Sequence, residues 1–234
     1  GSYSFTVAEN GAYKIIATDA KGNKAEKTVN ITNIDKENPT ISNVVNPTGI
    51  QKEKTITFTV QDNAAIQSVI CTLNNNPVPV TSEAANSYSF KAAANGKYTI
   101  TTTDTAGNTA TKDVDVQDID TTPPAAPVLK DGTTTLKAVT ETAAAEKQSF
   151  TLKEGDTTKT FTVTVTQKAV PNDKNTVKAQ YSLDNKTWAD VPQTGLSLEA
   201  KDYPTVYLRA IDKAQNVSAT QKYHIEVVEK ADAN

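Results

Sequence analysis

The stretch NGKYTITTTDTAGNTATKDVDV (residues 95–116) decides the fold. Its first half alternates, placing Tyr98, Ile100 and Thr102 on one side of an extended chain. Its second half alternates again through Val114 and Val116. Between them lies the polar phrase TDTAGNTA (103–110). Asp104 can accept hydrogen bonds from the amides ahead of it and close a turn. Gly107 suits a left-handed backbone, Asn108 tolerates one, and Ala106 is small enough to tuck under the loop. Strand, tight turn, strand is a β-hairpin.

The phrase recurs. Residues 2–41 align without a gap on residues 87–126, at a constant offset of 85, with 19 identities in 40 positions. The pairs include Tyr3/Tyr88, Phe5/Phe90, Asn10/Asn95, Gly11/Gly96, Tyr13/Tyr98, Asp19/Asp104, Gly22/Gly107, Asn23/Asn108, Ile34/Ile119, Asp35/Asp120 and Pro39/Pro124. Such a period is too long for a solenoid repeat and right for a small all-β domain. Within it, TITFTV (55–60) sets Ile56, Phe58 and Val60 on one face, and VICTL (69–73) offers Val69, Cys71 and Leu73. Turn signals separate the runs, and about seven short strands per period predict a β-sandwich.

A third copy, AIDKAQNVS (210–218), carries Gln215 where Gly107 stands, so either Asn216 takes the left-handed role or the turn differs. Asp104 to Asp212 spans 108 residues rather than 85, which places an insertion in 131–159. TAAAEK (142–147) is the one helical-looking run, and it is short. Prolines in IDKENP (34–39) and IDTTPPAAP (119–127) stop a final strand from running into the next unit. The expected domains are 1–37, the C-terminal half of a repeat; 38–121, a sandwich; 122–229, a sandwich with a longer N-terminal insertion; and a tail at 230–234. Because 1–37 holds only the last three strands of a unit, its apolar face needs a cover from elsewhere.

These residues, above all NGKYTITTTDTAGNTATKDVDVQDIDTTPP and YSLDNKTW with VYLRAIDKAQNVS, resemble bacterial immunoglobulin-like repeats of Gram-positive surface proteins. The resemblance spans essentially the whole chain. It implies all-β, tandem immunoglobulin-like or fibronectin III-like sandwiches joined end to end, in an extracellular, cell-surface or secreted bacterial protein. It brings no catalytic residue. The function it implies is a non-catalytic stalk or spacer. The alternatives are an adhesin module binding a host protein or glycan, and an accessory array of an extracellular glycoside hydrolase.

Composition narrows the classes further. The net charge of −3 and a single arginine, Arg209, argue against nucleic-acid partners. No apolar run reaches the ~20 residues of a membrane-spanning helix. With no export signal or anchor in view, the chain reads as a piece of a longer protein. Cys71, the lone cysteine, cannot form an intrachain disulfide and is expected as a small buried hydrophobe.

No catalytic, cofactor-binding or metal residue is assigned. His224 has no second histidine for zinc, and no serine sits in a nucleophile-elbow context. Asp35, Glu37, Asp113, Asp115, Asp118 and Asp120 cluster near the proline segments, where calcium would suit them. Asp113 and Asp115 alternate with Val114 and Val116, so the simpler expectation is the wet face of a strand. Trp188 is expected to pack in the core or hairpin. A glycan platform would need it, or Tyr181, Tyr203, Tyr207 and Tyr223, exposed and coplanar. Asn30, Asn185 and Asn216 match the N-glycosylation pattern, which carries little weight in a bacterium. A Lys–Asn isopeptide staple would need a lysine among core strands, and no lysine stands in a clearly apolar run.

Overall fold

A computed structural model of the chain describes residues 2–139, 147–165 and 177–230. Every regular element in these residues is a β-strand. The chain divides into two compact units. One comprises Gly1–Pro47, Thr55–Ala92 and Gly96–Val116; the other Thr48–Lys54, Ala93–Asn95 and Gln117–Asn234. Residues 142–146 of the helical-looking run lie outside the described residues.

The first unit opens with a hairpin of β1 (Gly11–Thr18) and β2 (Lys24–Ile31), which form a two-stranded sheet of their own. The repeat predicts a strand at Ser2–Phe5 as well, and none forms there. Its counterpart in the second copy is a middle strand, held on both edges by neighbours that residues 2–5 lack.

Then follow β3 (Thr40–Val45), β4 (Lys54–Gln61), β5 (Ile66–Leu73), β6 (Asn76–Val78), β7 (Val80–Ala84), β8 (Ser87–Ala92), β9 (Gly96–Asp104) and β10 (Thr109–Val116). They form two sheets, β3-β4-β8-β7 and β10-β9-β5-β6. In immunoglobulin lettering these are A-B-E-D and G-F-C-C′, the two faces of an immunoglobulin-like sandwich. Period-two alternation drives the burial. Ile56, Phe58 and Val60 on β4 and Phe90 and Ala92 on β8 face Cys71, Tyr98, Ile100, Val114 and Val116 from the other sheet, and all ten are buried. The Phe90 ring stacks on Tyr98 at 5.2 Å and tilts against Phe58 at 6.3 Å. Burial pushes the Cys71 thiol up to about 11, in keeping with a packing role.

In the second unit β11 (Val128–Asp131), β12 (Thr134–Thr135), β13 (Gln148–Thr151), β14 (Thr158–Thr164), β15 (Lys178–Ser182), β16 (Ala189–Asp190), β17 (Leu196–Glu199), β18 (Lys201–Ile211) and β19 (Gln221–Val228) form the sheets β12-β11-β14-β17 and β13-β19-β18-β15-β16. β13 pairs in parallel with β19, so the chain between β11 and β14 crosses to the second sheet. Leu129, Phe161, Leu196, Leu198, Val206, Leu208, Tyr223, Ile225 and Val227 make the core.

Lys54 is a residue that the sequence did not single out. It opens β4 fully buried, and its ammonium donates to the Gln117 carbonyl at 2.6 Å. A buried charge needs such a partner, and a lysine one position before an alternating run gives no sign of it.

Candidate functional site

The recurring aspartate turn is closed by several hydrogen bonds to one carboxylate. Asp104 Oδ1 accepts from the amides of Ala106 (2.8 Å) and Asn108 (2.9 Å), and Oδ2 accepts from Asn108 Nδ2 (2.8 Å). Asp19 repeats the pattern with Lys21, Asn23 and Asn23 Nδ2. Asp212 repeats it with the Asn216 amide (2.8 Å) and Nδ2 (2.9 Å). Burial pushes the Asp104 carboxyl up, but these donors outweigh it and hold it below its ordinary value. Asn108 is therefore a side-chain clamp, not a left-handed residue. The left-handed position is Gly107 (φ 93°). Ala106 is exposed rather than tucked under the loop, whereas Ala214 in the third copy is buried.

Gln215 adopts the left-handed conformation itself (φ 66°), so the third turn keeps its shape without glycine and Asn216 keeps its clamp. Gln215→Gly should relieve that strain and raise stability by up to ~1 kcal/mol, the unfolded-state entropy of glycine offsetting part of the gain. Chemical denaturation of the two proteins measures this, and an unchanged or lowered midpoint would refute it.

A second set of side chains grips the proline segments. Asn10 accepts from the Ile34 amide (2.8 Å) and donates to its carbonyl (2.7 Å). Asn95 does the same to Ile119 at 2.7 and 2.9 Å. The residues after these isoleucines are also held. Asn108 Nδ2 reaches the Asp35 carbonyl at 3.4 Å, and Asn216 Nδ2 reaches the Asp120 carbonyl at 2.9 Å. With its Nδ2 donating to both the Asp120 carbonyl and the Asp212 carboxylate, buried Asn216 is no glycan acceptor. Gln51 and the segment also exchange backbone bonds, Gln51 N to Asp118 O at 3.0 Å and Asp120 N to Gln51 O at 2.9 Å. Asn10 and Asn95 stood among the repeat identities, which was the available signal. Their partners, 24 residues away, were not readable.

Of the acidic residues near the proline segments, Asp113 and Asp115 lie exposed on β10, and Asp113 pairs with Lys97 at 2.6 Å. Asp120 is buried and accepts from the Thr122 amide. Asp35 instead meets two turn aspartates. One carboxylate oxygen from each of Asp35, Asp62 and Asp104 lies within 4.8 Å of the others. Asp35 Oδ1 accepts from Glu37 N and Asn63 Nδ2, while its buried Oδ2 makes no hydrogen bond. Such hard oxygens suit calcium, which takes six to eight of them. Yet the Asp104 turn closes with its own donors and needs no cation to form. EDTA is therefore expected to leave the melting temperature unchanged. A fall of several degrees that calcium restores would make this trio a structural metal centre.

Two of the four tyrosines that a glycan platform would need turn inward. Tyr181 packs on the core, and Tyr223 is buried with its hydroxyl near Leu129 N and Pro127 O. The side chain of Tyr203 lies outside the described residues. Trp188 lies outside the second unit's hydrophobic core, with the Arg209 guanidinium 4.0 Å from its ring centroid and Arg209 Nε donating to Gln180. His224 alternates with buried Tyr223 and Ile225 on β19 and is half-buried. In the nearby loop, the Thr187 and Lys186 amides and the Ser182 hydroxyl hold the Asp184 carboxyl well below the usual carboxylate range.

No protein-family model and no curated protein matches the chain. Solved structures similar to it include the fibronectin(III)-like modules of Clostridium thermocellum CbhA, with 14% identity, TM-score 0.36, and 82% of this chain and 97% of that one covered. Tandem Ig repeats of Dlar share 11% identity at TM-score 0.30, covering 82% and 98%. The mouse nectin-like molecule 4 ectodomain (Ig1–Ig3) shares 14% at TM-score 0.26, covering 85% and 66%. No residue role transfers from any of them.

Proposed function

We propose that this chain is a spacer of immunoglobulin-like domains in an exported bacterial cell-surface protein, acting by length and stiffness rather than through a pocket. The observation that carries the reading is where the asparagine side chains go. Asn10, Asn95, Asn108 and Asn216 all hold backbone in or beside the proline segments. A binding module would instead point such groups at a ligand. On this reading no active site and no cofactor is needed, and neighbouring repeats are the main partners. The adhesin alternative, with a host protein or glycan as ligand, loses its aromatic row because Tyr181 and Tyr223 turn inward.

Pulling the chain between its termini should test the spacer directly. Each sandwich should resist and then yield in one step, lengthening the tether by roughly 3.3–3.6 Å per residue released. Gradual extension without steps would sink the reading. So would saturable binding in a screen of glycans and matrix proteins, which would favour the adhesin.

A further inference from the structure

Two of the asparagines that grip the proline segments stand in the two Asn–Gly pairs of the chain, Asn10–Gly11 and Asn95–Gly96. Such a pair can close a ring on its own backbone, because glycine has no Cβ to keep its nitrogen from the asparagine Cγ. The glycine amide gives up its proton, and its nitrogen bonds to Cγ. The Cγ–Nδ2 bond breaks, and Nδ2 leaves as ammonia, carrying that proton. Water then opens the resulting succinimide at either carbonyl, leaving aspartate or isoaspartate.

The structure holds this reaction back at Asn95. Ring closure needs Cγ to swing onto the Gly96 nitrogen. Instead the side-chain amide lies against Ile119, Oδ1 accepting from its amide at 2.7 Å and Nδ2 donating to its carbonyl at 2.9 Å. Ile119 is itself 6% exposed, and its neighbours are tied down. Lys54 Nζ donates to the Gln117 carbonyl, the Gln51 amide to the Asp118 carbonyl, and the Asp120 amide to the Gln51 carbonyl. Asn95 is therefore freed when segment 117–120 lifts, and because Asn95 is exposed, water is already at hand. The product cannot restore the grip. Aspartate has no Nδ2 proton for the Ile119 carbonyl and sets a carboxylate oxygen against it, and in isoaspartate the carboxylate hangs directly from Cα and falls short. Asn10 holds Ile34 in the same way, at 2.8 and 2.7 Å. At the offset of the third copy stands Tyr203–Pro204, and a proline nitrogen has no proton to give up.

We propose that Asn95–Gly96 is a self-modification site, guarded by the docked segment 117–120 and spent when that segment lifts, so that deamidation makes the release permanent. Water is the one co-reactant. The proposal stands on the grip itself and holds whether the array is a spacer or an adhesin. In a spacer, it marks a proline segment that has given way under load.

The test incubates the intact chain beside a synthetic peptide of residues 91–99 over a range of urea concentrations. Peptide mapping by mass spectrometry follows deamidation at Asn95. Without urea, Asn95 of the chain should react at least ~10-fold more slowly than Asn95 of the peptide. Below the unfolding midpoint its rate, relative to the peptide, should rise with urea much more gently than the global unfolding equilibrium, because lifting a short segment exposes little surface. Equal rates in chain and peptide would mean that the grip guards nothing. A rate that tracks global unfolding would mean that the segment does not lift on its own. Either result overturns the proposal. The deamidated chain should stay folded, and its Ile119 amide should exchange with solvent at least ~10-fold faster than in the fresh chain. Unchanged protection of that amide would show that the grip survives the modification, and the proposal would fall.

Discussion

Phe90→Ala should lower the stability of its sandwich by about 3–5 kcal/mol, while Phe5→Ala, at the matching position of the repeat, should change it by less than about 0.5 kcal/mol. Both lie in the identical stretch SYSF. Phe90 is 1% exposed and touches the rings of Phe58 and Tyr98. Removing it costs transfer free energy and leaves a cavity that two sheets cannot close. Phe5 has one ring neighbour, Tyr13 at 6.1 Å, and otherwise faces solvent. Urea denaturation followed by tyrosine fluorescence would measure both. Equal losses would mean that the N-terminal hairpin is already packed, contrary to the exposure of Phe5 and Ile15.

Gly195→Ala should be of similar size, about 3 kcal/mol or more, because the new methyl would meet backbone. Gly195 ends the turn that its amide closes on the Pro192 carbonyl at 3.0 Å, and its φ is 105°. A Cβ there would lie 2.4 Å from the Phe161 carbonyl oxygen and 3.1 Å from the Thr160 methyl. Phe161 is wholly buried and packs edge-on against Phe150 at 5.0 Å, so it cannot retreat without disturbing the core. Gly96→Ala makes the useful contrast. Its φ of 149° also disfavours a side chain, but its Cβ would meet only the Leu73 side-chain end at 2.8 Å, which can rotate away. Thermal unfolding should rank Gly195→Ala well below Gly96→Ala, and the reverse order would refute the backbone argument.

Much of the strand pattern was legible because a strand exposes alternate residues to one face. Ile56, Phe58 and Val60 announced β4, and Tyr98, Ile100 and Thr102 announced β9. The aspartate turn was legible because its donors lie within four residues of Asp104. The grip of Asn95 on Ile119 and the burial of Lys54 were not, since each depends on a partner far along the chain. The meeting of Asp35, Asp62 and Asp104 was hidden for the same reason.

By itself, the sequence determined what is local and periodic: an all-β chain, a unit that repeats at an offset of 85, and a hairpin closed by the same aspartate turn in each copy. Hydrophobic period and turn chemistry act over a few residues, so they can be read without coordinates. Only the tertiary structure decided which copies of a motif are buried. Tyr3 and Tyr88, or Phe5 and Phe90, are the same residue in the same phrase, yet one of each pair lies open. Burial is a property of the facing sheet, and among the described residues β1 and β2 pair only with each other.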